Sequence, residues 1–320
     1  MDDDIRLGLV LPTGHAQWGA GAGPRALIDF AVRAEELGFD SLWAGDTLLR
    51  PVLEPLALLG ALAVRTERIT LGTAALLPAF RRPVQSAQAL ASIDQLSGGR
   101  LVVAVGAGFP NRSEREYAAS EVPWQRRFAR LDDTVELWRH LWTASGPSDF
   151  HGKVLHFDDL PEPLAPHRPG GPPLWLGGAT PAALERAGRR YDGWLPYPPD
   201  PARYAPGLAA VRASATGAGR DPAAITPALY TTLLVTPDVA SGRAALDAYC
   251  RAGYGLPLEV VETIQLLVAG PVEHIADVLR GYLSAGVTHL VCRLGAPDLP
   301  GQAGQLERIA ELLPVLRGSG

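Results

Sequence analysis

Short apolar, β-branched runs alternate along the chain with longer segments whose apolar residues recur at helical spacing. Ile5–Leu11 reads as a strand closed by Pro12-Thr13-Gly14. Pro24 to Leu37 reads as a helix, with proline in its first turn and Gly38 as its stop. Ser41–Ala44 is a second strand, Pro55–Arg65 a second helix and Ile69–Leu76 a third strand. Pro83–Leu96 is a third helix, ended by Ser97-Gly98-Gly99, and Leu101–Val105 a fourth strand. Strand-then-helix units in series predict a parallel sheet with right-handed crossovers.

The pattern then stretches. Residues 107–172 hold an amphipathic helix near Arg126–Trp142, with Phe128, Leu131, Val135, Trp138 and Trp142 on one face, then a loop from Ser145 to Pro173. The alternation resumes with strand Leu174–Leu176, helix Pro181–Arg189, strand Gly193–Leu195, a helix near Arg203–Ala215 and strand Leu229–Val235. Residues 236–288 carry helices Val239–Ala252 and Val272–Ala285, before a last strand, His289–Leu294, and a closing helix near Gln302–Leu316. Eight strands, each followed by a helix, favour a closed (β/α)8 barrel over an open sheet, as one domain over residues 1–320. The segments 107–172 and 236–288 are then insertions on the C-terminal face, where barrel enzymes keep their sites.

Composition narrows the choice of function. With 47% apolar and 20% charged residues the 320-residue chain can bury a full core. Basic residues number 29 and acidic residues 34, a net −5, which argues against nucleic acid or an anionic membrane as partner. The start, Met1-Asp2-Asp3-Asp4, is not expected to act as a secretory signal, and apolar stretches such as Leu56 to Val64 are too short to span a bilayer. A soluble cytoplasmic protein is expected. The two cysteines, Cys250 and Cys292, exclude a disulfide scaffold or a Cys-built metal site. Lys153, the only lysine, precedes Val154, so no P-loop exists.

Several positions carry candidate chemistry. Gly106-Ala107-Gly108-Phe109-Pro110 follows a strand, but Asn111 stands where a dinucleotide fingerprint needs its third glycine. The glycines mark backbone that passes close to something, a ligand or the protein itself. In Gly177-Gly178-Ala179-Thr180-Pro181 a strand runs into two glycines, an N-capping threonine and a first-turn proline. Bare N–H groups and the helix dipole there suit an anion, or an ordinary capped turn. His15, just beyond the first strand, and Asp46, at the end of the second, face the same rim, as catalytic groups or as loop and capping residues. His151 and His156 share a loop without a metal-like third partner, so no metal is expected. His289 opens the last strand on the opposite rim and reads as structural.

Leu71-Gly72-Thr73-Ala74-Ala75, Arg82-Pro83-Val84, Asp94-Gln95-Leu96-Ser97-Gly98-Gly99-Arg100, Val105-Gly106-Ala107-Gly108, Leu174-Trp175-Leu176-Gly177-Gly178, Asp192-Gly193-Trp194-Leu195 and Ala285-Gly286-Val287-Thr288-His289-Leu290 together resemble the bacterial luciferase-like monooxygenase superfamily, in order and spacing from Ile5 to the last helix. The resemblance implies a barrel that binds a reduced flavin, FMN or the deazaflavin F420. It places the ring against Thr73, Ala74 and Ala75, with a cis peptide between the two alanines and Gly106 and Gly108 beside it. It places the phosphate on Gly177, Gly178, Ala179 and Thr180, and matches Arg127 and Arg130 to arginines that reach the phosphate or the substrate side. Trp18, Phe109, Trp194 and Arg293 are candidates to line the substrate.

Two departures bear on activity. Many members carry His after the strand-two Asp, and this chain has Thr47; the sugar-phosphate dehydrogenase branch has Glu where this chain has Phe109. Acid–base work would fall on Asp46, His15, Thr47 or the insertions. Ala107, where luciferase subunits carry Arg, favours F420 over FMN. The expected protein is an oxidoreductase or monooxygenase acting on a small organic substrate, served by a separate flavin or F420 reductase, and a homodimer. The alternatives are a flavin binder without catalysis, or an unrelated barrel enzyme acting on a phosphorylated metabolite.

Overall fold

A computed structural model describes residues 5–18 and 23–318, so the acidic start, 1–4, lies outside the described residues. The strands and helices follow in the order β1 (Arg6–Val10), α1 (Pro24–Glu36), β2 (Ser41–Ala44), α2 (Pro55–Ala63), β3 (Thr70–Leu76), α3 (Pro83–Ser97), β4 (Leu101–Val105), α4 (Glu114–Ala119) and α5 (Arg127–Thr143). Then come β5 (Ser148–His151), β6 (His156–Leu160), β7 (Leu174–Gly177), α6 (Pro181–Arg190), β8 (Gly193–Leu195), α7 (Pro201–Gly217), β9 (Thr226–Val235) and α8 (Val239–Tyr254). The chain continues through α9 (Leu258–Val261), β10 (Leu267–Gly270), α10 (Val272–Ser284), β11 (His289–Leu294), α11 (Leu299–Ala310) and α12 (Leu312–Leu316).

Strand order in the main sheet is β10-β9-β11-β1-β2-β3-β4-β7-β8, and a further β8–β9 pairing closes it. Without β10 this is a closed ring of eight strands with helices between them, the (β/α)8 barrel expected. Chain contacts group into two compact units, Ala44–Leu174 on one hand and Met1–Trp43 with Trp175–Gly320 on the other.

In Ala44–Leu174, α5 packs on α3 through its apolar stripe. The indoles of Trp138 and Trp142 donate to the carbonyls of Pro83 and Ala87, both at 3.1 Å, so the two largest side chains are buried without an orphaned N–H. Leu131 and Val135 share that buried face, but Phe128 is exposed because it lies beside the Arg127 guanidinium at the first turn. The expected loop from 145 to 173 contains a hairpin instead, β5–β6, with Phe150 opposite Phe157 and His151 opposite His156. Buried Asp133 of α5 fixes its turn by accepting the amides of Val154 and Leu155. The motif around Asp94 also holds the chain together: Asp94 accepts the Arg168 amide at 2.8 Å, and the Arg100 guanidinium donates to the carbonyls of Ala63, Thr66 and Ile69.

In the other unit, one face of the strands carries Trp43, Trp175 and His289 in mutual ring contact, with centroids 5.0 to 5.6 Å apart. His289 also pairs with the Ser41 hydroxyl at 2.7 Å, and burial pushes its imidazole down to about 3. It is a neutral core residue, as its place at the start of the strand suggested. Side chains alternate along a strand, so Val291 and Arg293 share this face. The register sets Arg293 beside Val10 of β1 and Thr232 of β9.

The segment after β9 holds more than the two expected helices. It also forms α9 and β10, whose strand extends the C-terminal half of β9 from Thr232 to Val235. β9 itself starts at Thr226, earlier than expected, because Pro227 lies at the strand's beginning, where a missing N–H is tolerated.

Candidate functional site

Asp46 follows β2 and is tied down on every side. Its side chain is 3% exposed, pairs with the Arg81 guanidinium at 2.7 and 3.2 Å, and accepts the Leu77 amide at 2.9 Å. A carboxylate so held fixes the turn after β3. Thr47 donates its hydroxyl to Glu116 at 2.6 Å, and the same carboxylate oxygen accepts the Leu48 amide at 2.7 Å. Buried Glu116, on α4, thus clamps the position where many members of the resembled superfamily carry histidine. Thr73 is fully buried and donates to the Ala104 carbonyl at 2.8 Å, which commits it to the sheet. The Ala74–Ala75 peptide is cis, and both alanines are partly exposed.

The loop after β4 depends on glycine. Gly108 has φ +77°, and a Cβ there would come within 2.6 Å of Ser113 Cβ. Phe109 next to it is 58% exposed, so it fills no core. Gly106 lines a small recess with Pro78, Tyr117, Arg127 and Arg130. Tyr117 donates to the Ala107 carbonyl at 3.0 Å, and burial pushes its phenol up to about 12, so it acts as a neutral donor. Arg127 lies over the Trp124 ring at 3.9 Å, and its Nε is buried with no hydrogen-bond partner. Burial also lowers the pKa of Arg130. The two guanidiniums line one recess that is too tight to hold a water.

In the other unit, Gly177 ends β7 and Thr180 caps α6, accepting the Ala183 amide at 3.3 Å, with Pro181 in the first turn. Gly178 has φ +102°, which turns the backbone into the helix, and its carbonyl accepts the Trp194 indole N–H at 2.8 Å. Ala179 and Thr180 are exposed, so their end of the helix is open to an anion. Trp194 is 1% exposed and stacks on Tyr204 of α7 at 5.0 Å. It braces the turn from behind. His15 is exposed, with its ring 5.2 Å from Trp18, and Trp18 donates to the Pro12 carbonyl. Arg293 ends β11 among tyrosines.

The luciferase-like monooxygenase profile matches residues 5–289. The chain belongs to that family. An F420-dependent glucose-6-phosphate dehydrogenase of Amycolatopsis mediterranei is 37% identical over 183 residues, covering 54% of this chain and 53% of that protein. The chain thus spans about half the length of this relative in the match. A dehydrogenase of the same description from Kribbella flavida is 32% identical over 341 residues, covering 93% of this chain and 96% of that protein. Among solved structures, an F420-dependent secondary alcohol dehydrogenase in complex with an F420–acetone adduct superposes with a TM-score of 0.81 at 22% identity, over 98% of this chain and 99% of that one. Family membership removes the alternative of an unrelated barrel enzyme.

Within the family frame, Gly106, Arg127 and Arg130 meet in one recess, and Gly177 to Thr180 form one capped turn. Asp46, Thr47 and Thr73 are already engaged by protein groups, and His15 stands exposed. Glu116, Arg81 and Tyr254 carry no motif in the sequence: Asp46 and Arg81 lie 35 residues apart and meet only in the fold. The hairpin also brings Asp149, His151 and Asp158 within 4.8 Å of one another, so His151 does have carboxylate neighbours. All three are exposed, and Asp158 pairs with His151 at 3.3 Å. Among the described residues no helix is long and apolar enough to cross a membrane.

Proposed function

We propose that this chain is an oxidoreductase that uses a reduced deazaflavin of the F420 type, in preference to FMN, on a small organic substrate. The observation that carries the reading is the turn from Gly177 to Thr180. Its left-handed glycine, threonine cap and exposed first helical turn form an anion seat without a lysine. Those amides would hold the cofactor's phosphate, and the bend at Ala74 and Ala75, with Gly106 and Gly108, would receive its ring. The Nε of Arg127, in the recess it shares with Arg130, is buried without a partner. When bound, F420 supplies a hydride-carrying carbon, whereas FMN would supply an oxygen-activating ring.

The chain's own contribution is positioning and exclusion of water, since Asp46 is spent on Arg81 and Leu77. Thr47 and Phe109 replace the expected proton-transfer pair, so glucose 6-phosphate is not carried over from the relatives as substrate. The protein works in the cytoplasm, as a homodimer, with a separate reductase renewing its cofactor.

Anaerobic fluorescence titrations with reduced F420 and reduced FMN test the reading. Saturable binding of F420, tighter than of FMN, is expected, and binding of neither contradicts it. Slow reoxidation of bound F420 by every carbonyl offered would favour the non-catalytic binder, which the engaged Asp46 and Thr47 also fit.

A further inference from the structure

A second group of polar side chains lies at the end of β11, apart from the turn and the recess just described. Arg293 is partly exposed there and forms no ion pair with a carboxylate among the described residues. Its neighbours are aromatic. The guanidinium carbon lies 5.2 Å from the Tyr230 ring centroid and 6.0 Å from that of Tyr254, and the Tyr249 hydroxyl is hydrogen-bonded to it. Faces of tyrosine hold a cation in place without neutralising it.

The surrounding hydrogen bonds leave donors over. Tyr254's hydroxyl oxygen accepts from the Gln265 amide at 2.9 Å and from the Arg293 guanidinium. Both lone pairs are then used, and the phenolic hydrogen remains to be donated. Thr232, the register partner of Arg293 on β9, is fully buried, and its hydroxyl has no partner. A guanidinium and the phenol hydrogen beside it make a pair of donors with a single positive charge. Buried polar groups require partners, and a group short of acceptors calls for an acceptor from outside.

We propose that Arg293, with Tyr254, receives a carboxylate carried by the substrate. The assignment rests on the oxidoreductase reading for the word substrate, but the anion seat stands on its own geometry. One cation matches one negative charge, so a carboxylate fits better than a phosphate dianion. Planar guanidinium also matches the carboxylate fork. The substrate is then an organic acid, whose reacting carbon is set by the distance from this anchor.

The test uses the full chain and three phenyl probes: benzoate, its near-isostere benzamide, and phenyl phosphate. Arginine Nε–H resonances report binding, and F420 fluorescence is titrated in parallel. Benzoate is expected to saturate with a shift of the Arg293 resonance, and benzamide to bind at least about tenfold more weakly. Arg293→Gln is expected to weaken benzoate at least about tenfold while leaving F420 affinity unchanged, with Arg293→Lys in between. If Arg293→Gln does not fold, Tyr254→Phe decides, with a severalfold loss for benzoate expected. Equal binding of benzoate and benzamide, or benzoate affinity indifferent to these substitutions, overturns the site. Tighter binding of phenyl phosphate overturns the carboxylate assignment. Failure of the wild type to bind F420 would remove the oxidoreductase reading, and the benzoate series would still decide the anion seat.

Discussion

Arg81 and Arg293 each follow or end a barrel strand, and they differ in what surrounds them. Arg81 is 17% exposed in its side chain and has two carboxylates, Asp46 and Glu54. Arg293 has tyrosines and no carboxylate among the described residues. The first arrangement is complete, and nothing remains for a ligand to do. The second is missing its anion. A half-buried cation without a carboxylate is open to one from a ligand.

Breaking the complete arrangement should have the largest effect. Asp46→Ala leaves Arg81 with one exposed carboxylate and the Leu77 amide without its acceptor. A loss of about 3 kcal/mol in urea unfolding is expected, and a loss under about 1 kcal/mol would show that the pair is not structural. The neutral His289 sharpens the same point, since a core that cannot compensate a charge keeps the group uncharged. Its folded pKa lies at about 3, below the ordinary value of 6.5. The unfolded chain therefore takes up the proton first as the pH falls. Its contribution is fully present above about pH 6.5 and is lost on acidification, by up to about 1.4 kcal/mol per pH unit. Urea unfolding across that range checks the slope, and a flat profile would contradict the burial argument.

Smaller effects come from the seats proposed for ligands. Thr180→Ala removes only a cap bond and should weaken F420 binding by about 1 kcal/mol, read in the fluorescence titration. Unchanged affinity would move the phosphate elsewhere. Arg293→Met removes a cation that the protein leaves uncompensated, so thermal unfolding should change by less than about 1 kcal/mol. A loss as large as that of Asp46→Ala would erase the distinction between the two arginines.

The barrel was legible because each strand–helix unit repeats its own local signals: apolar runs, first-turn prolines, glycine stops. The capped turn at Gly177–Thr180 was legible for the same reason, since cap, proline and glycines are neighbours in sequence. What stayed hidden depends on distant partners. Asp46 reads as a catalytic candidate, and its ties to Arg81 and Leu77 show only in the fold. Trp194 reads as a pocket residue, and its contact with Tyr204 shows only in the fold. The hairpin from Ser148 to Leu160 escaped because its turn is fixed by Asp133, 21 and 22 residues upstream of the amides it accepts. Tyr254, on a helix of an insertion, had no motif to announce it beside Arg293.

A crystal structure of the protein with F420 tests the central claim most directly. The account predicts the cofactor's phosphate against the backbone amides of Gly178, Ala179 and Thr180. A phosphate bound away from that turn, with those amides facing only solvent, would contradict it.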